Sequence, residues 1–285
     1  MSRFTTTAPM RASSADRSTE VALQARAMGR DALSVALIDA RNATLRWLSC
    51  FEAQGLLLGQ ALRAEGAFAP VPLHMAGRMG WLQEWWITRR LRRLDPLSAG
   101  PSGARLASLD GGMDQAFSGD AVHFLALQQQ PSGVDTRSYL EATLEQTLEL
   151  LSSCPADDDA LSPYRCALLW EDRLSESMAV AAQALGVLPG ESGAHAQQRP
   201  PRVPRDPVWM PAQRVQIGSP RMGWAPANER WAHDVDLPEC EIDAQAVTWE
   251  RFVEFAEDGG YDRQTLWQPA GWDWVQAQSR RAPRY

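Results

Sequence analysis

Two stretches of the sequence hold side chains that could bind a metal ion. Residues 72–93 contain His74, and residues 170–176, which read WEDRLSE, contain Glu171 and Glu176. Imidazole and carboxylate groups are ligands for divalent transition metals. His74 together with Glu171 or Glu176 is therefore a candidate metal site, although no pair of histidines is present to anchor it.

The first stretch also ends in a run of arginines. Arg89 and Arg90 form a candidate anion-binding pair within this local basic patch. The alternative is structural, because positive charge in the last turn of a helix stabilises the negative end of the helix dipole. On this alternative the arginines belong to the solvated end of a helix.

Helices are predicted to position both stretches. Pro72 suits the first turn of a helix, where its missing N–H costs nothing, and Leu73, Trp81, Trp85 and Trp86 then form an apolar stripe. The stripe is typical of a helix that packs into a core, and stacking of the indoles on a cationic ligand is the alternative. Four amphipathic helices are predicted in all, over residues 32–63, 73–94, 135–151 (with Asp135 as its cap) and 162–186. Four such helices favour a four-helix bundle.

The whole chain is predicted to be an α+β protein with four segments. Residues 1–29 predict a disordered tail, because they have little to bury, and residues 30–188 hold the bundle. Residues 189–211 are rich in proline and predict an interdomain linker. Residues 212–285 predict a small second domain of short strands and one helix capped by Thr248. These strands and this helix are predicted over residues 215–217, 233–237, 240–242 and 248–258.

The composition favours a globular protein of the cytoplasm. Of its 285 residues 45% are hydrophobic, and a formal charge of -7 argues against a general nucleic-acid surface. No apolar run approaches the ~20 residues that span a bilayer, and the N-terminus lacks the apolar core of a signal peptide. The four cysteines are widely spaced and predict neither a disulfide framework nor a zinc site. We therefore expect no nucleic-acid or membrane partner, and the sequence gives no oligomeric state.

The three other histidines are predicted to be surface or hydrogen-bonded residues. His123 lies in the glycine-rich residues 95–130, where no element is predicted, His195 lies in the linker and His233 lies in a predicted strand. The sequence contains no nucleophile elbow, P-loop or dinucleotide-binding fingerprint.

Residues 72–89 read PLHMAGRMGWLQEWWITR and resemble a known iron-binding helix. This is the helix of the ergothioneine sulfoxide synthases and selenoneine synthases, which typically reads PLWELGHxGWFQEWWIxR. The family's second iron motif, HEDMHxE, matches residues 170–176. In the family one histidine of the first motif and two of the second bind iron. These three positions are occupied here by Arg78, Trp170 and Leu174.

The last part of the sequence extends the resemblance over nearly the whole chain. The matches lie at residues 218–219, 228–233, 242–245, 247–249, 257–261 and 280–285, and their details favour the selenoneine branch. In that family a DinB-like four-helix bundle precedes a formylglycine-generating-enzyme-like domain, also called sulfatase-modifying-factor-like, with a C-type-lectin-like fold. The resemblance implies both domains here. We expect the second to be truncated, because family members continue well beyond the position of Tyr285.

The resemblance implies non-haem Fe(II) chemistry that joins a selenosugar or thiol to the imidazole carbon of histidine betaine. A guanidinium, an indole and an isobutyl group do not bind Fe(II). We therefore expect this copy to lack iron and catalysis. The indole and isobutyl groups should fill the former cavity, with the guanidinium turned toward Glu84, Glu171 or Asp172. Two alternatives stay open: an active oxidoreductase with rearranged metal ligation, and a non-catalytic binding or scaffold protein.

Overall fold

The computed structural model describes residues 24, 26–58, 71–89, 108–187 and 205–283. Within them the arrangement is α+β, with long helices first and short strands later. The helices of the first part are α1 (Arg30–Ala53), α2 (Pro72–Gln83, continued by a π-helical turn, Glu84–Arg89), α3 (Gly111–Phe117), α4 (Ala121–Ala126), α5 (Gly133–Ser153) and α6 (Asp158–Leu185). The later elements are β1 (Val208–Met210), β2 (Gln213–Ile217), β3 (His233–Leu237), β4 (Cys240–Ile242), α7 (Trp249–Glu257) and α8 (Pro269–Ala277).

Side-chain caps fix where the long helices begin. The Ser132 hydroxyl accepts a hydrogen bond from the Asp135 backbone N–H, and the Asp135 carboxylate accepts one from the Ser132 N–H, at 3.1 and 2.9 Å. The cap of α5 is therefore Ser132 and not Asp135 as predicted. The hydrogen bonds that the Ser132 hydroxyl and backbone N–H donate to the Asp135 carboxylate lower the pKa of Asp135. Asp157 caps α6 by accepting from the Ala160 N–H, and Gly186 ends that helix with a φ of 70°.

The four long helices pack against one another as a bundle. Helices α1 and α2 each contact both α5 and α6. Their buried faces, together with Phe117 of α3 and Phe124 of α4, form a main core. From the long helices this core includes Leu48, Phe51, Leu73, Met79, Tyr139, Leu140, Leu174 and Met178. A smaller core includes Leu33, Leu37, Ile87, Leu151, Leu161 and Tyr164. Among the described residues, no helix has the length and the continuous apolar character needed to cross a bilayer.

The connection between α2 and α5 contains two short helices that the sequence does not predict. Asp110 caps α3 by accepting hydrogen bonds from its first N–H groups, and Asp120 caps α4 by accepting from the His123 N–H at 2.8 Å. Phe117 and Phe124, one from each helix, stack with ring centroids 5.6 Å apart in the main core. Helices this short show no clear periodicity, so the capping residues are the signal that could have indicated them.

The chain divides into two compact units. The first comprises Met1–Gln197 and Gly218–Ala232, and the second comprises Gln198–Ile217 and His233–Tyr285. The segment between β2 and β3 belongs to the first unit because Trp224 is buried there and its Nε1–H donates to the Ser162 hydroxyl at 2.8 Å. The segment boundaries predicted at residues 30–188, 189–211 and 212–285 stay predictions.

The second unit contains two antiparallel strand pairs. Strand β1 pairs with β4, and β2 pairs with β3, with Val215 opposite Val235. The predicted strands are confirmed, although β2 begins earlier than predicted, at Gln213. Strand β1 falls within the predicted linker. Its three residues lie between Pro207 and Pro211, where no alternating pattern can be recognised.

The predicted helix of the second unit is confirmed as α7. Thr248 caps it by accepting from the Arg251 N–H at 3.4 Å, and Gly259 follows it with a φ of 73°. Helix α8 was not predicted. In the described part of this unit only Tyr261 and Val275 bury an apolar side chain almost completely. The DinB-like and lectin-like classes of the two units stay predictions.

Candidate functional site

The resembled ligand positions are 78, 170 and 174, where the resembled family has its iron-binding histidines. Arg78 occupies the first of them and caps the end of α3. Its Nη1 donates to the backbone carbonyl oxygens of Phe117, Ser118 and Gly119 at 2.9, 3.1 and 2.6 Å. Carbonyl groups at a helix C-terminus lack partners within the helix and carry partial negative charge. The Trp81 ring lies 5.6 Å from the guanidinium carbon. Arg78 therefore holds this turn against α2.

These contacts correct the expectation that Arg78 turns toward an acidic side chain. Glu84 is paired with Arg89, and Glu171 is paired with Arg41. The carbonyl oxygens attract the guanidinium without the cost of desolvating a second ion. These partners could not be predicted from the sequence, because a backbone carbonyl group is present in every residue.

His74 lies one helical turn before Arg78 and contacts the same turn. With its proton on Nε2, the ring donates to the Gly119 carbonyl oxygen at 3.2 Å. The ring is buried, and its centroid lies 5.4 Å from that of Phe124. Burial lowers the pKa of His74, and the charge of Arg78 lowers it further, against opposing effects of the Gly119 hydrogen bond and of Asp120. The neutral ring is therefore favoured.

Gly77 allows the turn to approach α2 closely. A Cβ atom at this position would lie 2.0 Å from Cζ of Phe117. The Phe117 ring is fully buried, and the rings of Phe124 and Tyr139 stack near it at 5.6 and 6.2 Å between centroids. Because the ring is enclosed, it has little room to move. Glycine is required here because a larger side chain would collide with the Phe117 ring, and not because of its backbone conformation.

The other two resembled ligand positions lie in apolar packing on α6. Leu174 is 8% exposed and belongs to the main core. Trp170 is partly buried against the same core, and its ring lies 6.2 Å from that of Trp86 at an angle of 57°. Both side chains thus pack as apolar groups. That they fill a former metal cavity stays a prediction.

Glu171, the residue after Trp170, forms a buried ion pair with Arg41 of α1. The distances are 2.7 Å from Nε to Oε1 and 2.9 Å from Nη2 to Oε2, and both side chains are 2% exposed. The Thr44 hydroxyl also donates to Oε1 at 2.7 Å. Both carboxylate oxygens of Glu171 are therefore engaged by hydrogen-bond donors.

Arg41 contacts each of the other three long helices. Besides Glu171 on α6, it donates to the Leu140 carbonyl oxygen and the Thr143 hydroxyl on α5, and to Oε1 of Gln83 on α2. The Nε2 atom of Gln83 is buried without a hydrogen-bond partner among the described residues. One guanidinium thus links all four helices at the same level of the bundle.

Glu84 begins the π-helical turn and is the centre of a second buried network. Its Oε1 accepts from Arg89 Nε and the Leu109 N–H at 2.9 and 3.0 Å, and its Oε2 accepts from the Tyr139 hydroxyl at 2.6 Å. Arg89 also pairs with Asp114 at 2.9 Å. Burial raises the pKa of Tyr139, and the hydrogen bond to Glu84 raises it further.

The structure describes only one residue, Arg89, of the candidate anion-binding pair. Arg89 is 8% exposed, and its guanidinium already holds two carboxylates, Glu84 and Asp114. Arg90 lies outside the described residues. The contacts of Arg89 argue against an anion site that depends on it.

The candidate metal set of His74, Glu171 and Glu176 is not assembled for metal binding. Across the described ranges, no group of three or more His, Cys, Asp or Glu side chains is arranged to hold a metal ion. His74 is bonded to a carbonyl oxygen, Glu171 is held by Arg41, and Glu176 is exposed on α6. Fe(II) needs nitrogen or carboxylate ligands with available lone pairs. Neither this set nor the three resembled positions fits Fe(II).

Two of the other histidines and all four cysteines fall within the described residues. His123 Nε2 lies 3.2 Å from the Gln115 carbonyl oxygen, and His233 is exposed in β3, as predicted for both. His195 lies outside the described residues. All four cysteines are free thiols.

Arg41 and Tyr139 were not predicted from the sequence. They join the two buried networks to α1 and α5. Arg41 lies four residues after Leu37 and seven before Leu48, both of which are buried. A charged residue at core spacing within an apolar helix face is the signal that could have found it. Tyr139 shows no comparable signal, because a tyrosine in a helix face is ordinary core.

Described residues of the first unit line two open cavities. One, of about 660 Å³, is lined by residues that include Asp110, Met113, Gln115, Gln128, Gln129 and Asp135. The other, of about 480 Å³, is lined by residues that include Glu52, Leu57, Leu58, Leu73 and Gly133. Neither cavity is lined by the residues at the resembled ligand positions.

Comparison with known proteins finds relatives named hercynine oxygenase. The protein of Mycolicibacterium smegmatis is 31% identical over 159 residues, which are 53% of this chain and 36% of the relative. The protein of Mycolicibacterium thermoresistibile is 27% identical over 268 residues, 90% of this chain and 55% of the relative. The chain thus spans about half or less of the length of these curated relatives. No protein-family profile matches it. The relatives support the predicted kinship with ergothioneine-related proteins.

Proposed function

We propose that this chain is a non-catalytic, iron-free relative of the hercynine oxygenases. One observation carries the proposal: Arg78, where the resembled family has an iron-binding histidine, directs its guanidinium to three carbonyl oxygens. A guanidinium is permanently protonated, so it offers Fe(II) no lone pair and repels it. Trp170 and Leu174 support the proposal, because neither side chain is a metal ligand.

The proposed descent is from the selenoneine and ergothioneine synthases, and the matches in residues 212–285 favour the selenoneine branch. On this proposal the first unit is a DinB-like bundle and the second is the beginning of a formylglycine-generating-enzyme-like domain. The molecules to test are therefore histidine betaine together with a selenosugar or a thiol.

The test measures iron and product in one preparation. The purified chain is incubated anaerobically with Fe(II), desalted and analysed for metal, and then incubated in air with histidine betaine and a thiol or selenosugar. We expect no retained iron and no product by mass spectrometry. The Mycolicibacterium smegmatis relative, treated in the same way, is the positive control.

Two other outcomes discriminate between the alternatives. Stoichiometric iron together with product would contradict the proposal and favour rearranged metal ligation. Calorimetric binding of histidine betaine without turnover would identify a binding protein, whereas no binding would favour a scaffold.

A further inference from the structure

The turn at the end of α3 is organised by two side chains from one face of α2. Arg78 donates to three successive carbonyl oxygens, and His74 donates to the last of them, that of Gly119. The two residues are four apart, so they project from the same side of the helix. The phenyl ring of Phe117 fills the space over Gly77 between them.

The geometry at Arg78 is that of a cation surrounded by carbonyl oxygens. One nitrogen, Nη1, lies 2.6 to 3.1 Å from all three oxygens. That nitrogen carries two hydrogens, so three acceptors cannot each receive a separate linear hydrogen bond. Attraction between the positive charge and the carbonyl dipoles must therefore supply part of the interaction.

We infer that the positive charge of Arg78 organises the turn of residues 117–119 and prevents a metal ion from binding at position 78. The inference rests on the proposed function, because position 78 counts as a ligand position only through the family resemblance. It adds that the arginine has a structural task of its own and is not merely the loss of a histidine. Order in the turn should then depend on the charge at residue 78 and not on added metal.

Hydrogen exchange of the full chain, followed by mass spectrometry over residues 111–126, tests this inference. Arg78→Met should speed exchange in this segment by about tenfold or more, since hydrogen bonds to charged groups are stronger than neutral ones. Arg78→Lys should retain most of the protection, because it keeps the charge. The matched control is Arg173→Met, at an exposed arginine of α6, which should leave the segment unchanged.

The outcomes separate this inference from the proposed function. A folded Arg78→Met variant with unchanged protection would overturn the inference and leave the proposed function standing. If that variant does not fold, Arg78→Gln replaces it, and equal protection in the Gln and Lys variants overturns the role of charge. Loss of protection on adding a chelator to the unmodified chain, or a gain on adding Fe(II), would instead overturn the proposed function itself.

Discussion

Arg41 and Glu171 form a two-pronged ion pair in the interior of the bundle, with contacts of 2.7 and 2.9 Å between side chains that are each 2% exposed. Glu171 precedes Leu174 by three residues and follows Trp170 directly, so the pair fixes the part of α6 that carries two of the resembled ligand positions. Removing one buried ion leaves its partner desolvated and uncompensated, whereas removing both avoids that cost.

Replacing only one partner of this pair should therefore be more harmful than replacing both. Arg41→Leu should lower the free energy of unfolding by about 3–5 kcal/mol, measured by urea denaturation. The double variant Arg41→Leu/Glu171→Leu should recover most of this loss. A double-mutant cycle at the exposed pair of Arg137 and Glu52 should give a coupling free energy of only about 0–1 kcal/mol. A double variant as unstable as the single one would contradict this account.

Gly77→Ala should destabilise the bundle, because the new methyl group would collide with the enclosed ring of Phe117. Overpacking of this kind costs about 1–3 kcal/mol in the free energy of unfolding. Gly111→Ala is the matched control, since nothing lies within 4 Å of a Cβ atom at the first residue of α3. That variant should be neutral or slightly stabilising. Equal stability of the two variants would show that the ring moves freely.

His74 should make the bundle less stable in mild acid. Its pKa is lowered in the folded chain by burial and by Arg78, with smaller effects from the nearby Asp120 and His123. The unfolded chain therefore binds the proton more readily than the folded chain. The stability tied to the neutral ring is complete above the unfolded pKa of about 6.5 and is lost as the pH falls toward the lower folded pKa.

The measurement is the free energy of unfolding between about pH 7.5 and pH 5.5, where His74 titrates in the unfolded chain. His74→Gln keeps a donor for the Gly119 carbonyl but cannot titrate in this range. Its stability should fall less steeply with decreasing pH than that of the unmodified chain. Identical slopes would mean that His74 does not contribute.

Long amphipathic helices could be predicted from the sequence, although α1 ends at Ala53 and not at residue 63 as predicted, and Gly55 follows it with a φ of 69°. Short elements and elements defined by distant contacts could not be predicted. Helices α5 and α6 follow an apolar period over many turns, which is why both were found with nearly correct ends. Helices α3 and α4 and strand β1 contain too few residues to establish a period. Their ends depend on single caps or on pairing with a distant strand, which a local pattern does not contain.

The side-chain contacts of the site could likewise be predicted only in part from the sequence. The resemblance drew attention to Arg78, Trp170 and Leu174 as the family's ligand positions, but it did not identify the partners of Arg78. Those partners are backbone carbonyl oxygens from a connection in which no element was predicted. The sequence shows that residue 78 is positively charged, but only the tertiary structure shows which groups compensate that charge.

The second unit should exchange its amide hydrogens faster than the bundle. Its described residues bury few apolar side chains, and Trp209, Trp249 and Trp274 are more than half exposed. Local stability depends on buried apolar contacts, so opening should cost little there. Hydrogen exchange should show weak protection in α7 and α8 beside strong protection in α5 and α6. Equal protection in both units would contradict the prediction.

Restoring the three family histidines should create an Fe(II) site. In the variant Arg78→His/Trp170→His/Leu174→His, positions 170 and 174 lie four residues apart on α6 and project from one face. Helix α2, which carries position 78, packs against α6. Anaerobic calorimetry should show Fe(II) binding at least about tenfold tighter than to the unmodified chain, because three imidazoles form a ligand set suited to iron.

Stability provides an independent measure of the same restored site. Replacing the partly buried Trp170 ring should cost up to a few kcal/mol, and the carbonyl contacts of Arg78 are lost as well. The metal-free triple variant should therefore unfold at a lower temperature than the unmodified chain, and Fe(II) should restore part of the difference by binding the folded state. The control is Trp170→His/Leu174→His, in which Arg78 is kept and its charge should weaken Fe(II) binding. Tight binding by the unmodified chain, or equal binding by the double and triple variants, would refute the view that Arg78 closes this site.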